Sequence, residues 1–200
     1  MLIEYNKIQR FLDWVKDALR LDNIVSNAQG RKVHRGQVYR CNFGIGVGSE
    51  MQKDRPAVIV QMNSLNYTSG NTIVVPITHD KSTIPCMVPI TTIYESDGIT
   101  VKLDGQANTS NIACISKARL GDYVATLSSA DMKAIDNALA MTTGLLPHYA
   151  TLESKLNDKM NYIEKLKTDR NAAQDDLKQI CKLLGVSDVK DAIAKLQEKG

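Results

Sequence analysis

The chain has 200 residues, 43% of them hydrophobic, and a formal net charge of +3. That is a globular composition with room for one domain and appendages, or for two small domains. No stretch approaches the ~20 apolar residues that a membrane span needs. The start, Met1–Lys7, lacks the basic-then-apolar order of a signal peptide, so the expectation is a cytoplasmic protein with no membrane association. Residues 35–150 carry nine Lys/Arg and nine Asp/Glu. The surplus charge therefore lies on the flanks, and any nucleic-acid contact in the middle must come from a local cluster rather than a basic face.

Along the chain, Ile8, Leu12, Val15 and Leu19 recur at helical spacing beside Phe11 and Trp14, predicting an amphipathic helix over 3–20. Asn27–Lys32 reads as a loop. Six strand-like runs follow: Gln37–Cys41, Ala57–Gln61, Thr72–Ile77, Met87–Ile90, Gly98–Leu103 and Ile112–Ile115. Short strands separated by irregular loops point to a mainly β fold with helices (α+β), built on a small barrel. Ser128 or Ser129 caps a predicted helix over Ala130–Met141. From Leu152 to Leu184 apolar positions alternate at intervals of 4 and 3, interrupted by Lys159 and Arg170, which is a coiled-coil heptad seam. Gly185 ends that helix and Asp188–Glu198 forms another. The flanking helices pack as covers, pair between molecules, or dock another protein. This gives three segments: 1–32, 33–148 and 149–200.

The four cysteines, Cys41, Cys86, Cys114 and Cys181, include no C-x-x-C pair and read as reduced thiols. No group of residues has metal-ligand spacing, so neither metal nor cofactor is expected. The chemistry-bearing segment is Arg35–Gly36–Gln37–Val38–Tyr39, then Gly48–Ser49–Glu50, then Arg55–Pro56–Ala57–Val58–Ile59 and an apolar strand ending in Thr78. This order resembles the MazF/PemK family of toxin ribonucleases over about residues 33–145. Lys117–Ala118–Arg119 stands where the family often reads Gln-Ile-Arg, and Met87 replaces an imidazole that some members carry. The resemblance implies an SH3-like barrel and a toxin that cleaves single-stranded mRNA without a metal. It also implies a homodimer and a cognate antitoxin as partner.

By the same resemblance, Arg55 and Thr78 are the catalytic pair. The reaction is attack of a ribose 2′-OH on the adjacent phosphate, leaving a 2′,3′-cyclic phosphate and a 5′-OH. An Arg fork suits two phosphate oxygens as charge grows, and a Thr hydroxyl can donate to the same group. Gly48 and Ser49 are expected to approach the RNA backbone, Glu50 to orient Arg55 or take a proton, and Lys53 and Lys117 to hold phosphate. His79 follows Thr78 and reaches toward the same cleft, whereas His34 and His148 sit at segment boundaries. Two other readings remain open at this point: a catalytically silent barrel serving as a regulatory or protein-binding module, and a gyrase-inhibiting toxin on the same fold.

Overall fold

The computed structural model describes residues 4–198, so the expected start of the first helix at Ile3 lies outside them. The chain divides into two compact units, Met1–Leu146 and Pro147–Gly200. The N-terminal helix falls in the first unit. No helix among the described residues is long and apolar enough to cross a membrane.

The first unit is an α+β fold on an antiparallel sheet. Helix α1 (Tyr5–Asn23) runs three residues past its expected end, and a short α2 (Val25–Gln29) occupies much of the expected loop. The strands are β1 (Gln37–Asn42), β2 (Asp54–Ile59), β3 (Asn71–Thr78), β4 (Met87–Pro89), β5 (Ile93–Tyr94), β6 (Val101–Leu103), β7 (Gln106–Asn108), β8 (Ala113–Ser116) and β9 (Leu120–Thr126). Helix α3 (Asn63–Thr68) links β2 to β3, and α4 (Ser129–Thr142) follows β9. The strand order is β4-β7-β3-β2-β1-β9, with β8 also on β3 and a separate β5-β6 hairpin.

Both faces of the central strands are buried, which explains why Ala57–Val60 reads as a continuous apolar run rather than an alternation. Val58 and Val60 enter one core with Val38, Val75, Ile77 and Ile135, while Ala57 and Ile59 enter a second with Tyr39, Cys41, Val74 and Ile115. Strand β3 changes partner midway. Its first half, Asn71–Val74, pairs with β8 and its end, Ile77–Thr78, with β7. Pro76 falls in the gap between those two ladders, where its missing N–H breaks neither.

Ser128 caps α4 as expected. Its hydroxyl accepts from the Asp131 N–H (3.0 Å) and donates to the Asp131 carboxylate (2.7 Å). Thr91 adds its N–H (3.1 Å) and hydroxyl (3.0 Å) to the other carboxylate oxygen. Burial pushes this carboxyl up, but the hydrogen bonds from Ser128 and Thr91 outweigh it, and the group lies below the ordinary carboxylate value.

The second unit is helical. Helix α5 (Leu146–Leu184) carries the heptad seam, and Leu152, Leu156, Ile163, Leu166, Leu177 and Ile180 are all exposed on it. Gly185, at φ 63°, ends α5 in the left-handed conformation. Helix α6 (Val189–Gln197) starts at the Asp188 cap, its Lys195 ammonium donates to the Leu184 carbonyl (2.6 Å), and Cys181 and Ala192 are buried.

Asp131→Asn is expected to lower unfolding stability at neutral pH by about 1–2 kcal/mol, since it weakens a charge-assisted network. The folded carboxyl is more acidic than the unfolded one, so its contribution is complete above the unfolded value near 3.9 and disappears as pH falls through the folded value. Urea titrations at several pH values should show wild type and variant converging in acid.

Candidate active site

The start of β2 and the end of β3 bring two side chains together. Arg55 precedes Pro56, which favours an extended backbone at Arg55, and it pairs with Cys41 across the β1–β2 ladder. Its Nε donates to the Gln52 carbonyl (3.1 Å) and its Nη1 to the Thr78 hydroxyl (3.4 Å). Thr78 is the last residue of β3, 23 positions later in the chain.

The Thr78 hydroxyl is itself oriented. It donates to an Asp80 carboxylate oxygen (2.9 Å), leaving its lone pairs for the Asp80 N–H (3.2 Å) and Arg55. Thr78 is only 2% exposed and Arg55 is half-buried. In this arrangement the hydroxyl holds the guanidinium in place, and the guanidinium is the part of the pair that faces outward. Sequence reasoning missed Asp80; a Thr-x-Asp at a strand end is the signal that could have found it.

Gly105 was also missed. It sits beside Thr78 at φ +109°, and a Cβ there would meet the Thr78 carbonyl oxygen at 2.5 Å. Only glycine permits this approach between the β6–β7 turn and the end of β3. His79 is turned to Asp104, with Nε2 2.6 Å from its carboxylate, and its side chain is 75% exposed. It makes no hydrogen bond to Arg55 or Thr78.

The loop between β1 and β2 carries four other expected residues. Gly48 has φ +60° and open space around it, and Ser49 is exposed. The Glu50 carboxylate accepts the Val47 N–H (2.9 Å), so it closes the loop's own turn instead of orienting Arg55. Lys53 is the one non-glycine residue with positive φ (68°) among the described residues. Its N–H and carbonyl close the base of the loop against Gly44 (2.8 Å) and Phe43 (3.0 Å), while its side chain is exposed.

Lys117 is elsewhere. It is 1% exposed and its ammonium donates to the Asn66 carbonyl (2.5 Å) in the last turn of α3. Burial pushes its pKa down. The structure thus gives Lys117 an interior anchoring contact and does not bring it to the site as a phosphate ligand. Its neighbour Arg119 holds the loop base instead, donating to the Asn42 (3.4 Å) and Phe43 (3.2 Å) carbonyls with its guanidinium 5.1 Å over the Trp14 ring. Met87 is buried in β4 opposite Asn108.

The family described as PemK-like, MazF-like toxin of type II toxin-antitoxin system matches residues 34–142. The chain belongs to this family. Endoribonuclease MazF1 of Mycobacterium bovis and endoribonuclease MazF4 of Mycobacterium tuberculosis are each 35% identical to it over 111 residues, 56% of this chain and 92% of the relative. The crystal structure of MazF from Deinococcus radiodurans aligns with a TM-score of 0.50 at 16% identity, over 57% of this chain and 98% of that one, and shares the fold. Helices α1 and α2 and the whole second unit lie outside the PemK/MazF match.

Gly105→Ala should cost more than about 1 kcal/mol in a denaturant titration, because the backbone is left-handed and the new methyl meets a carbonyl oxygen. It should also displace Thr78 and so weaken any activity that needs Arg55. Lys117→Met should behave differently. A lysine with a depressed folded pKa adds stability as pH rises toward the ordinary value near 10.4 and loses it as pH falls through the folded value. Wild type should therefore gain stability relative to Lys117→Met as pH rises toward the ordinary lysine value near 10.4, with activity per folded molecule unchanged.

Proposed function

We propose that this chain is the toxin of a type II toxin–antitoxin pair and a metal-independent endoribonuclease that cuts single-stranded RNA with sequence preference. The reading rests on family membership and on one observation: Arg55 is held against Thr78 at the mouth of two adjacent strands. In the reaction the ribose O2′ bonds to the adjacent phosphorus and the P–O5′ bond breaks. The 2′-OH proton leaves to a base, O5′ gains a proton, and the products are a 2′,3′-cyclic phosphate and a 5′-OH.

Arg55 suits the role of transition-state stabiliser. Two of its N–H groups are spent on Gln52 and Thr78, which fixes the plane of the fork. The remaining donors are free to hold phosphoryl oxygens as charge builds, with little reorganisation at the moment of reaction. A guanidinium has donors and no acceptor and gives the 2′-OH proton nowhere to go, so we assign the base to another group. Asp80, already bonded to the Thr78 hydroxyl, is the carboxylate nearest in the network. A homodimer and a cognate antitoxin follow from the family as further parts of the reading.

The test is cleavage of a target RNA in excess chelator. Arg55→Ala should lose about 10²–10³-fold in rate, the typical loss for removing one oxyanion donor, with an unchanged unfolding midpoint. Arg55→Lys should also fail, because a point charge cannot reproduce the fork. A 2′-deoxy sugar at the scissile position should abolish cutting. A folded Arg55→Ala protein that cuts at the wild-type rate would remove this reading and leave the protein-binding module.

A further inference from the structure

Helix α1 forms one wall of a cleft whose other wall is the loop between β1 and β2. The cleft has a volume of about 330 Å³ and is lined by Lys7, Arg10 and Phe11 from the helix and by Gly46, Gly48 and Gln52 from the loop. Glu4 is the one acidic residue lining it. The two walls are tied together at the base. Trp14 packs on Gly44, where a Cβ would lie 2.4 Å from the indole, and Arg10 donates to the Gln52 side chain at 3.4 Å. Gln52 in turn gives its carbonyl to Arg55 at 3.1 Å. A single residue thus lines the cleft and fixes the proposed catalytic guanidinium.

We propose that this cleft is a subsite for the nucleotide next to the scissile one, with Lys7 and Arg10 on its phosphate and Phe11 under its base. The proposal rests on the nuclease reading. A strand bound at Arg55 passes Gln52, and the cleft is the concave surface that opens there. Its groups match single-stranded RNA: two cations for one backbone phosphate, an aromatic ring 43% exposed for stacking, and glycines that let the backbone come close. The family match begins at residue 34, so the helical wall is this chain's own addition to the site.

Fluorescence anisotropy with the full-length protein tests it. The probe is an oligonucleotide of the cut sequence, blocked by a 2′-deoxy sugar at the scissile position. One version carries both flanks, and two others are trimmed on the 5′ or the 3′ side. Trimming one flank should weaken wild-type binding by about fivefold or more, the scale of one stacked base. Phe11→Ala should bind the long probe as weakly as wild type binds that trimmed probe. Lys7→Gln should reduce the slope of log affinity against log salt by about 0.7, the value for one phosphate contact on a single strand. Lys16→Gln, on the same helix outside the cleft, should match wild type. Long-probe affinity and salt slope unchanged in Phe11→Ala and Lys7→Gln, in protein that still cuts RNA, would overturn the subsite alone. A wild-type protein that neither cuts nor binds these probes would overturn the nuclease reading and the subsite with it.

Discussion

The ladder between β2 and β3 is the constraint on which the site depends. Ala57, Val58 and Ile59 face Pro76, Val75 and Val74 in antiparallel register, so the start of one strand and the end of the other lie at the same edge. Arg55 is two residues before that ladder and Thr78 two residues after it. Their meeting is therefore set by sheet register, and a slip of one residue would turn one of the two side chains to the face opposite the other. The register is secured because both faces of these strands are buried. Val58 cannot exchange sides with Ala57 without underfilling one core and overfilling the other.

That same burial made part of the fold legible in the residues and hid the rest. Val58–Val60 and Ile73–Val75 announce a doubly buried strand pair, Ser128 announces a cap, and the 4-3 spacing after Leu152 announces a long helix. Helix α3 gives no such signal. Asn63–Thr68 has no apolar period, and its hold comes from buried Asn66, which bonds Gln61 and Thr72 through its side chain and Lys117 through its carbonyl. Strand β9 is disguised by Gly121 and Asp122 and by two irregularities in its register with β1. Strands β5 and β7 are too short, at two and three residues, to show alternation.

The site was legible to the same degree and for related reasons. Arg55 and Thr78 stand out through the order of motifs around them. Asp80 shows only as a local Thr-x-Asp pattern, and Gly105 not at all, because its role exists only once β7 lies against β3 and the β6–β7 turn comes to the Thr78 carbonyl. Lys117 shows the limit from the other side. A lysine in a polar stretch reads as a surface cation, and nothing in the stretch 112–120 says that the end of α3 will lie over it. Such an ammonium gives up hydration for a single carbonyl, which is tolerable only because it also completes a helix terminus that would otherwise be buried unsatisfied.

On the proposed function, the loop between β1 and β2 is held where the chemistry would need rigidity and less tied where recognition would need freedom. Its base is held by Arg119 on the Asn42 and Phe43 carbonyls, by the paired backbone bonds of Lys53, and by the Met51 N–H on the Asn111 side chain at 3.1 Å. Lys53 keeps a left-handed backbone at a cost that only a well-determined surrounding supports. Residues 46–50 at the tip are tied chiefly by Glu50 closing on Val47, and a Cβ at Gly48 would meet nothing within 4 Å. A fork that must meet one phosphate geometry gains from the fixed base, since misplacement by about 1 Å can cost a hundredfold in rate. A tip that must pass unstacked bases of varied shape gains from adjustable backbone. The division falls between residues 50 and 51, and α1 is anchored on the fixed side of it, at Gly44 and Gln52. The helix therefore presents its cations at a constant distance from Arg55 whatever the tip does.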